Sequence, residues 1–98
     1  MIKYKKPLEF QWDKGNIIKN WKKHKVTNKE CEEIFFDKNK KIAKDPVHSA
    51  KEDRYILLGK TKTGRLLYTV FTLRNKKVRI ISSRNINKKE KHLYEKSS

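Results

Sequence analysis

Leu66-Leu67-Tyr68-Thr69-Val70-Phe71-Thr72-Leu73, then Arg74-Asn75-Lys76, then Val78-Arg79-Ile80-Ile81-Ser82-Ser83 is the stretch on which the fold turns. Two runs rich in β-branched and aromatic residues, parted by a short polar turn, read as an antiparallel hairpin. Strict alternation in the second run puts Arg79 and Ile81 on one face, with Val78, Ile80 and Ser82 on the other. Tyr55 to Gly59 reads as a further strand, joined to the hairpin through the turn Thr61-Lys62-Thr63-Gly64. Before it, a basic turn from Lys38 to Lys41 leads to an edge strand around Ile42-Ala43. Asp45-Pro46 ends that strand, because the residue before proline is held out of the helical region.

The flanks of this meander carry helix signals. Leu8 to Trp12 alternates apolar and polar as a short strand does. Asp13 is an N-cap for a helix from Lys14 to His24, with Ile17, Ile18 and Trp21 as its expected core-facing stripe. Thr27 and Glu30 form a capping box. It opens a second short helix with Cys31, Ile34 and Phe35 on one side, ending near Asp37. Asn87 and Glu90 repeat that device and open a last helix to about Glu95. Its only apolar contributors are Ile86 and Leu93, so loose docking is expected. With no repeat and no linker, the reading is a single domain, 1–98, whose residues 1–7 form a flexible basic N-terminus. The expected class is α+β: a short N-terminal strand, two helices, a three- to four-stranded antiparallel meander and a C-terminal helix.

Composition narrows the partners. The 98 residues carry a net charge of +16, with 35% hydrophobic and 39% charged residues. Self-repulsion of that size favours a polyanionic or acidic partner: nucleic acid first, an acidic protein second, an anionic membrane third. No apolar run approaches the ~20 residues that span a bilayer. The basic N-terminus has no apolar stretch behind it, so it is no secretory signal. A lone cysteine, Cys31, makes neither an internal disulfide nor an ordinary zinc site. The expectation is a cytoplasmic protein with no metal and no cofactor. Among 27 basic residues the arginines are Arg54, Arg65, Arg74, Arg79 and Arg84, all inside the meander. Arginine is the residue for planar, bidentate contacts that an ammonium cannot make.

A set of short motifs runs through nearly the whole chain. Phe10-x-Trp12-Asp13, Asn20-x-x-Lys23-His24-x-Val26 and Phe35-Phe36-Asp37 open it. Asp45-x-x-His48-Ser49, Glu52-x-Arg54 and Gly64-Arg65-Leu66-Leu67 continue it. Arg79-Ile80-Ile81-Ser82-Ser83-Arg84, Lys89-Glu90 and Tyr94-Glu95 close it. In order and spacing these resemble the BrnT toxins of bacterial toxin–antitoxin systems over roughly residues 8–95. Asn85-Ile86-Asn87, Ser83 and the lysines around 38–41 depart from the usual pattern without removing a motif residue. The resemblance implies a RelE-like ribonuclease fold and metal-independent RNA cleavage that arrests translation and growth. It also implies neutralisation by a ribbon-helix-helix antitoxin (BrnA-like), in a heterotetramer of two toxins and two antitoxins. Operator DNA would be bound through the antitoxin.

Metal-independent cleavage by attack of the RNA 2′-hydroxyl needs a base, an acid for the leaving oxygen, and cations around the phosphorus. Electrostatic stabilisation is usually the largest of these contributions. The catalytic candidates are Arg79, Arg65, Arg84 and His24. Arg79 ranks first because it interrupts an apolar strand. Arg65 stands at a hairpin shoulder; it and Arg79 come from opposite ends of the hairpin unless Arg79 lies late in a twisted pairing, and the sequence alone does not decide whether they meet. Arg84, just before the last helix, either serves a phosphate or clamps the chain to a carboxylate. His24 is an acid–base candidate, or a cation set against the dipole of its own helix. Lys22, Lys23, Lys25 and Arg54 are the RNA-binding candidates, with Glu52 either a base or an ion-pair partner of Arg54. His48 is read as a loop cap, His92 as solvated, and Trp12, Trp21, Tyr94 and Cys31 as packing residues. A non-catalytic basic RNA- or DNA-binding module is the alternative, since charge alone suits both.

Overall fold

The computed structural model describes residues 9–46 and 52–96; residues 1–7 and His48 lie outside them. Its elements are β1 (Phe10–Gln11), α1 (Lys14–His24), α2 (Asn28–Glu33), a 3-10 turn (Ile34–Phe36), β2 (Lys41–Lys44), β3 (Arg54–Lys60), β4 (Leu66–Arg74), β5 (Lys77–Asn85) and α3 (Lys88–Glu95). The strands form one sheet in the order β1-β5-β4-β3-β2. β2 to β5 are the antiparallel meander, and β1 joins β5 in parallel, which makes the five-stranded sheet mixed. At the β4–β5 turn Asn75 and Lys76 both take positive φ, 52° and 65°. A two-residue loop with two left-handed residues matches the twist of a hairpin.

One face of the sheet makes the core. Phe35 fits edge-on between Phe10 and Phe71, at centroid distances of 5.3 and 5.0 Å, and Tyr55 stacks on Phe71. Val26, Cys31 and Ile34 pack down from the helical side onto Leu57, Leu67, Val78 and Ile80. Burial raises the Cys31 thiol to about 11, so it stays protonated and inert at neutral pH. Gly59 lets the 3-10 turn approach the sheet. A Cβ there would stand 2.8 Å from Ile34 Cβ and 2.8 Å from Leu57 Cδ2.

The expected apolar stripe of α1 does not face the core. Ile17 is half-buried, while Ile18 and Trp21 are 53% and 50% exposed, and Asn20 is the buried residue. The reason lies in the edge of the sheet. β1 is only two residues long, so beyond it the outer side of β5 has backbone groups with no strand beside them. α1 runs along that edge and supplies amides instead: Asn16 Nδ2 donates to Ile80 O, and Ser83 N donates to Asn20 Oδ1. Unpaired edge groups must be satisfied or covered, and this requirement overrides the hydrophobic pattern.

A second departure is a β-bulge. Val70 pairs with Ser82, but Phe71 pairs with Ile80, leaving Ile81 as the extra residue of β5. The bulge reverses the alternation after Ile81. Ser83, in place of the expected Ser82, turns to the core face, where its hydroxyl meets that of Thr69 at 2.7 Å. Arg84 thereby turns to the opposite face, the one that carries Arg79.

We expect Gly59→Ala to lower stability by about 2 kcal/mol, the usual cost of overpacking a tight core contact. Urea unfolding with an unchanged slope would measure it.

Candidate functional site

The face of the sheet turned away from α2 and the 3-10 turn is ruled in rows. Residues opposite one another in paired strands point to the same side. One row across the sheet is Arg54, Thr72, Arg79 and Gln11; the next is Ala43, Ile56, Val70 and Ser82; the third is Lys41, Leu58, Tyr68 and Arg84. Arg54, Arg74, Arg79 and Arg84 therefore share one face, three at one end and Arg84 at the other. α3 lies across the third row, and a groove of about 350 Å³ opens beside it, lined by Ile56, Leu58, Tyr68, Glu90 and Leu93 among others.

These arginines are held differently. Arg79 makes one contact, Nη2 to Asp13 Oδ2 at 3.3 Å, and that carboxylate is half exposed. A pair so placed is screened by water and worth little. Arg84 is gripped by Glu90 through both terminal nitrogens, at 2.9 and 2.7 Å, and lies 4.0 Å above the Tyr68 ring. The bonds it donates to Glu90 raise the Arg84 pKa. Burial pushes the Glu90 carboxyl up, but bonds from Arg84 and Asn87 N–H outweigh it and hold the group below its ordinary range. Burial raises the Tyr68 phenol, against the opposing charge of Arg84. Arg54 is half-buried in β3. Its neighbour Glu52 bonds Arg74 at 3.1 Å.

Arg65 is elsewhere. Its Nε donates to Asn85 Oδ1, Nη1 to Lys25 O and to Glu30, and Nη2 to His24 O. It thus closes the C-terminal end of α1 and the capping box of α2 against the end of β5. Seven residues of strand, about 24 Å, separate Arg65 from Thr72, the partner of Arg79. His24 and Lys22, Lys23 and Lys25 belong to that same distant end of α1, and Lys25 takes the left-handed cap conformation with its Nζ 5.1 Å from the Trp21 ring centroid. His92 is exposed on α3. Tyr94 docks α3, its hydroxyl donating to Asp37 Oδ2 at 2.6 Å, while Leu93 stays exposed. Among the described residues, no group of three or more His, Cys, Asp or Glu side chains is arranged to hold a metal ion. No helix among them is long and apolar enough to cross a membrane.

Sequence reasoning missed Tyr68 and the pair of Asp13 with Arg79; it allowed Arg84 a carboxylate, and the structure makes that carboxylate Glu90. Tyr68, Val70 and Thr72 share alternate spacing on β4, so their common face was available from pattern. That Arg84 joins them depends on the bulge, for which the sequence has no signal.

The profile of the family described as "Ribonuclease toxin, BrnT, of type II toxin-antitoxin system" matches residues 12–90. The chain belongs to the BrnT family. The span reaches from the start of the first cap to Glu90, and so takes in every arginine of the meander. Among solved structures, the ribonuclease toxin BrnT of Brucella abortus is similar with a TM-score of 0.62 at 17% identity. The match covers 83% of this chain and 99% of that one, and at such identity it speaks for the fold. No curated protein matches the chain. As a BrnT-family ribonuclease toxin of a type II system, the chain has an RNA substrate and a cognate antitoxin.

Arg65→Lys should cost about 2 kcal/mol in chemical denaturation, because an ammonium cannot serve four protein groups at once. RNA cleavage by the folded fraction should be unchanged, which a gel assay at constant folded concentration would read.

Proposed function

We propose that the chain is a metal-independent endoribonuclease whose active face is the row of Arg54 and Arg79 together with Arg84. The observation carrying this reading is that four of the five arginines, Arg54, Arg74, Arg79 and Arg84, share one sheet face, and that Arg79 has the longest ion pair of the three whose contacts are described. RNA phosphates would displace Asp13 from Arg79. The 2′-hydroxyl oxygen then attacks the adjacent phosphorus and loses its proton to a base, while the 5′-oxygen leaves and takes a proton from an acid. The product ends are a cyclic phosphate and a 5′-hydroxyl. Arg79 and Arg54 stabilise the charge on the phosphorane oxygens, where preorganised donors act most strongly. Arg84, already balanced by Glu90, holds a flanking phosphate. His24, Lys22 and Lys23 lie at the end of α1 and Lys25 at its cap, toward the Ser83 end of β5, and Arg65 joins the helices to the sheet. None of these five belongs to the reacting centre in this reading.

The cleavage arrests translation and growth in the cytoplasm. A ribbon-helix-helix antitoxin of the BrnA kind neutralises the toxin, in a complex of two toxins on one antitoxin dimer that binds operator DNA through the antitoxin. Light scattering of the purified complex should give that 2:2 mass, and a 1:1 mass would refute the stoichiometry.

The deciding experiment is cleavage of a defined RNA in EDTA by antitoxin-free protein, beside folded Arg79→Ala. Wild-type cleavage with a loss of a hundredfold or more in the variant is expected. Equal cleavage by both would remove Arg79 from the mechanism. Intact RNA that is nevertheless bound in a salt-dependent way would favour a non-catalytic RNA- or DNA-binding module.

A further inference from the structure

α1 exposes what a lean chain would otherwise bury. At 100° per residue, Ile18 and Trp21 share the half of the helix that faces away from Asn16 and Asn20, and so do Lys14 and Lys22; Lys25, the left-handed cap beyond the helix, sets its Nζ 5.1 Å from the Trp21 ring centroid. Both apolar side chains are about half exposed, and all three lysines are exposed. The helix has no carboxylate of its own. The result is an aliphatic–aromatic pair, one helical turn apart, rimmed by positive charge. Neither residue contributes to the buried core, which Val26, Cys31, Ile34 and Phe35 supply from the helical side.

We propose that this stripe of α1 is a docking seat for an acidic, amphipathic segment of the cognate antitoxin. The partner's identity rests on the family's type II character; the seat itself rests on the exposure and the charge. Apolar side chains of the segment cover Ile18 and Trp21, and its carboxylates meet Lys14, Lys22 and Lys25. A buried tryptophan rimmed by charge is a frequent centre of binding energy in protein interfaces. Charge complementarity of this sign also steers association and rejects other partners. RNA fits the stripe less well. A stacked base would use Trp21 but leave Ile18 uncovered, and the helix runs along the outer edge of β5 with only its Asp13 end beside Arg79.

The test titrates separated toxin with its cognate antitoxin in a calorimeter, comparing wild type with Ile18→Glu/Trp21→Glu and with the milder Ile18→Ser/Trp21→Ser. Thermal unfolding checks that each variant is folded, and RNA cleavage is measured in parallel. Expected are about a hundredfold weaker binding for the glutamate pair, about tenfold for the serine pair, and unchanged cleavage. Unchanged antitoxin affinity in either folded variant overturns the proposal. Lost RNA cleavage with intact antitoxin binding also overturns it and assigns the stripe to RNA. If wild type binds antitoxin but cleaves no RNA, the ribonuclease reading fails while the seat is still decided by the titration.

Discussion

Each helix begins at a carboxylate that an arginine of the sheet holds. Asp13 caps α1 and pairs with Arg79; Glu30 completes the capping box of α2 and pairs with Arg65; Glu90 does the same for α3 with Arg84. A carboxylate at a helix start already answers unpaired N–H groups and the positive end of the dipole. The same oxygens then accept from a guanidinium on a neighbouring element. In a chain with 11 acidic residues against 27 basic ones, three of the scarce carboxylates stand at these junctions. They set where each helix lies on the sheet.

The arrangement also separates two kinds of arginine. Arg65 has all its described contacts within the protein, and it joins the end of α1, the start of α2 and the last residue of β5. Arg79 has a single long contact to an exposed carboxylate, and its partner yields readily to a phosphate because the pair is screened. Arg84 is intermediate: it is anchored by Glu90, with one side of its plane against Tyr68. Equal charge thus does unequal work, and hydrogen-bond occupancy separates the roles.

Surface chemistry follows the same geometry. The short β1 leaves part of the β5 edge open, α1 covers it with Asn16 and Asn20, and the apolar residues of α1 are consequently turned outward. A requirement of backbone hydrogen bonding at one edge therefore creates an exposed apolar surface on the opposite side of the helix. On the other face of the sheet, the bulge at Ile81 brings Arg84 beside Tyr68 and onto the side of Arg79. Bulges reorient side chains in this way by adding one residue to one strand.

Much of the fold was legible in the sequence because its signals are local. The three caps, the strands and their turns follow from side chains acting on nearby backbone, and the motif order was sufficient to indicate the BrnT family. The site was legible only in its residue types. That Arg54, Arg79 and Arg84 share a face depends on strand register and on one extra residue in β5. That α1 points amides inward depends on a sheet edge made by strands far away in the chain. The sequence by itself determined which segments are helix or strand and that arginines cluster in the meander. Tertiary structure alone decided which way those side chains point, because register and edge satisfaction are properties of paired strands, which no single segment contains.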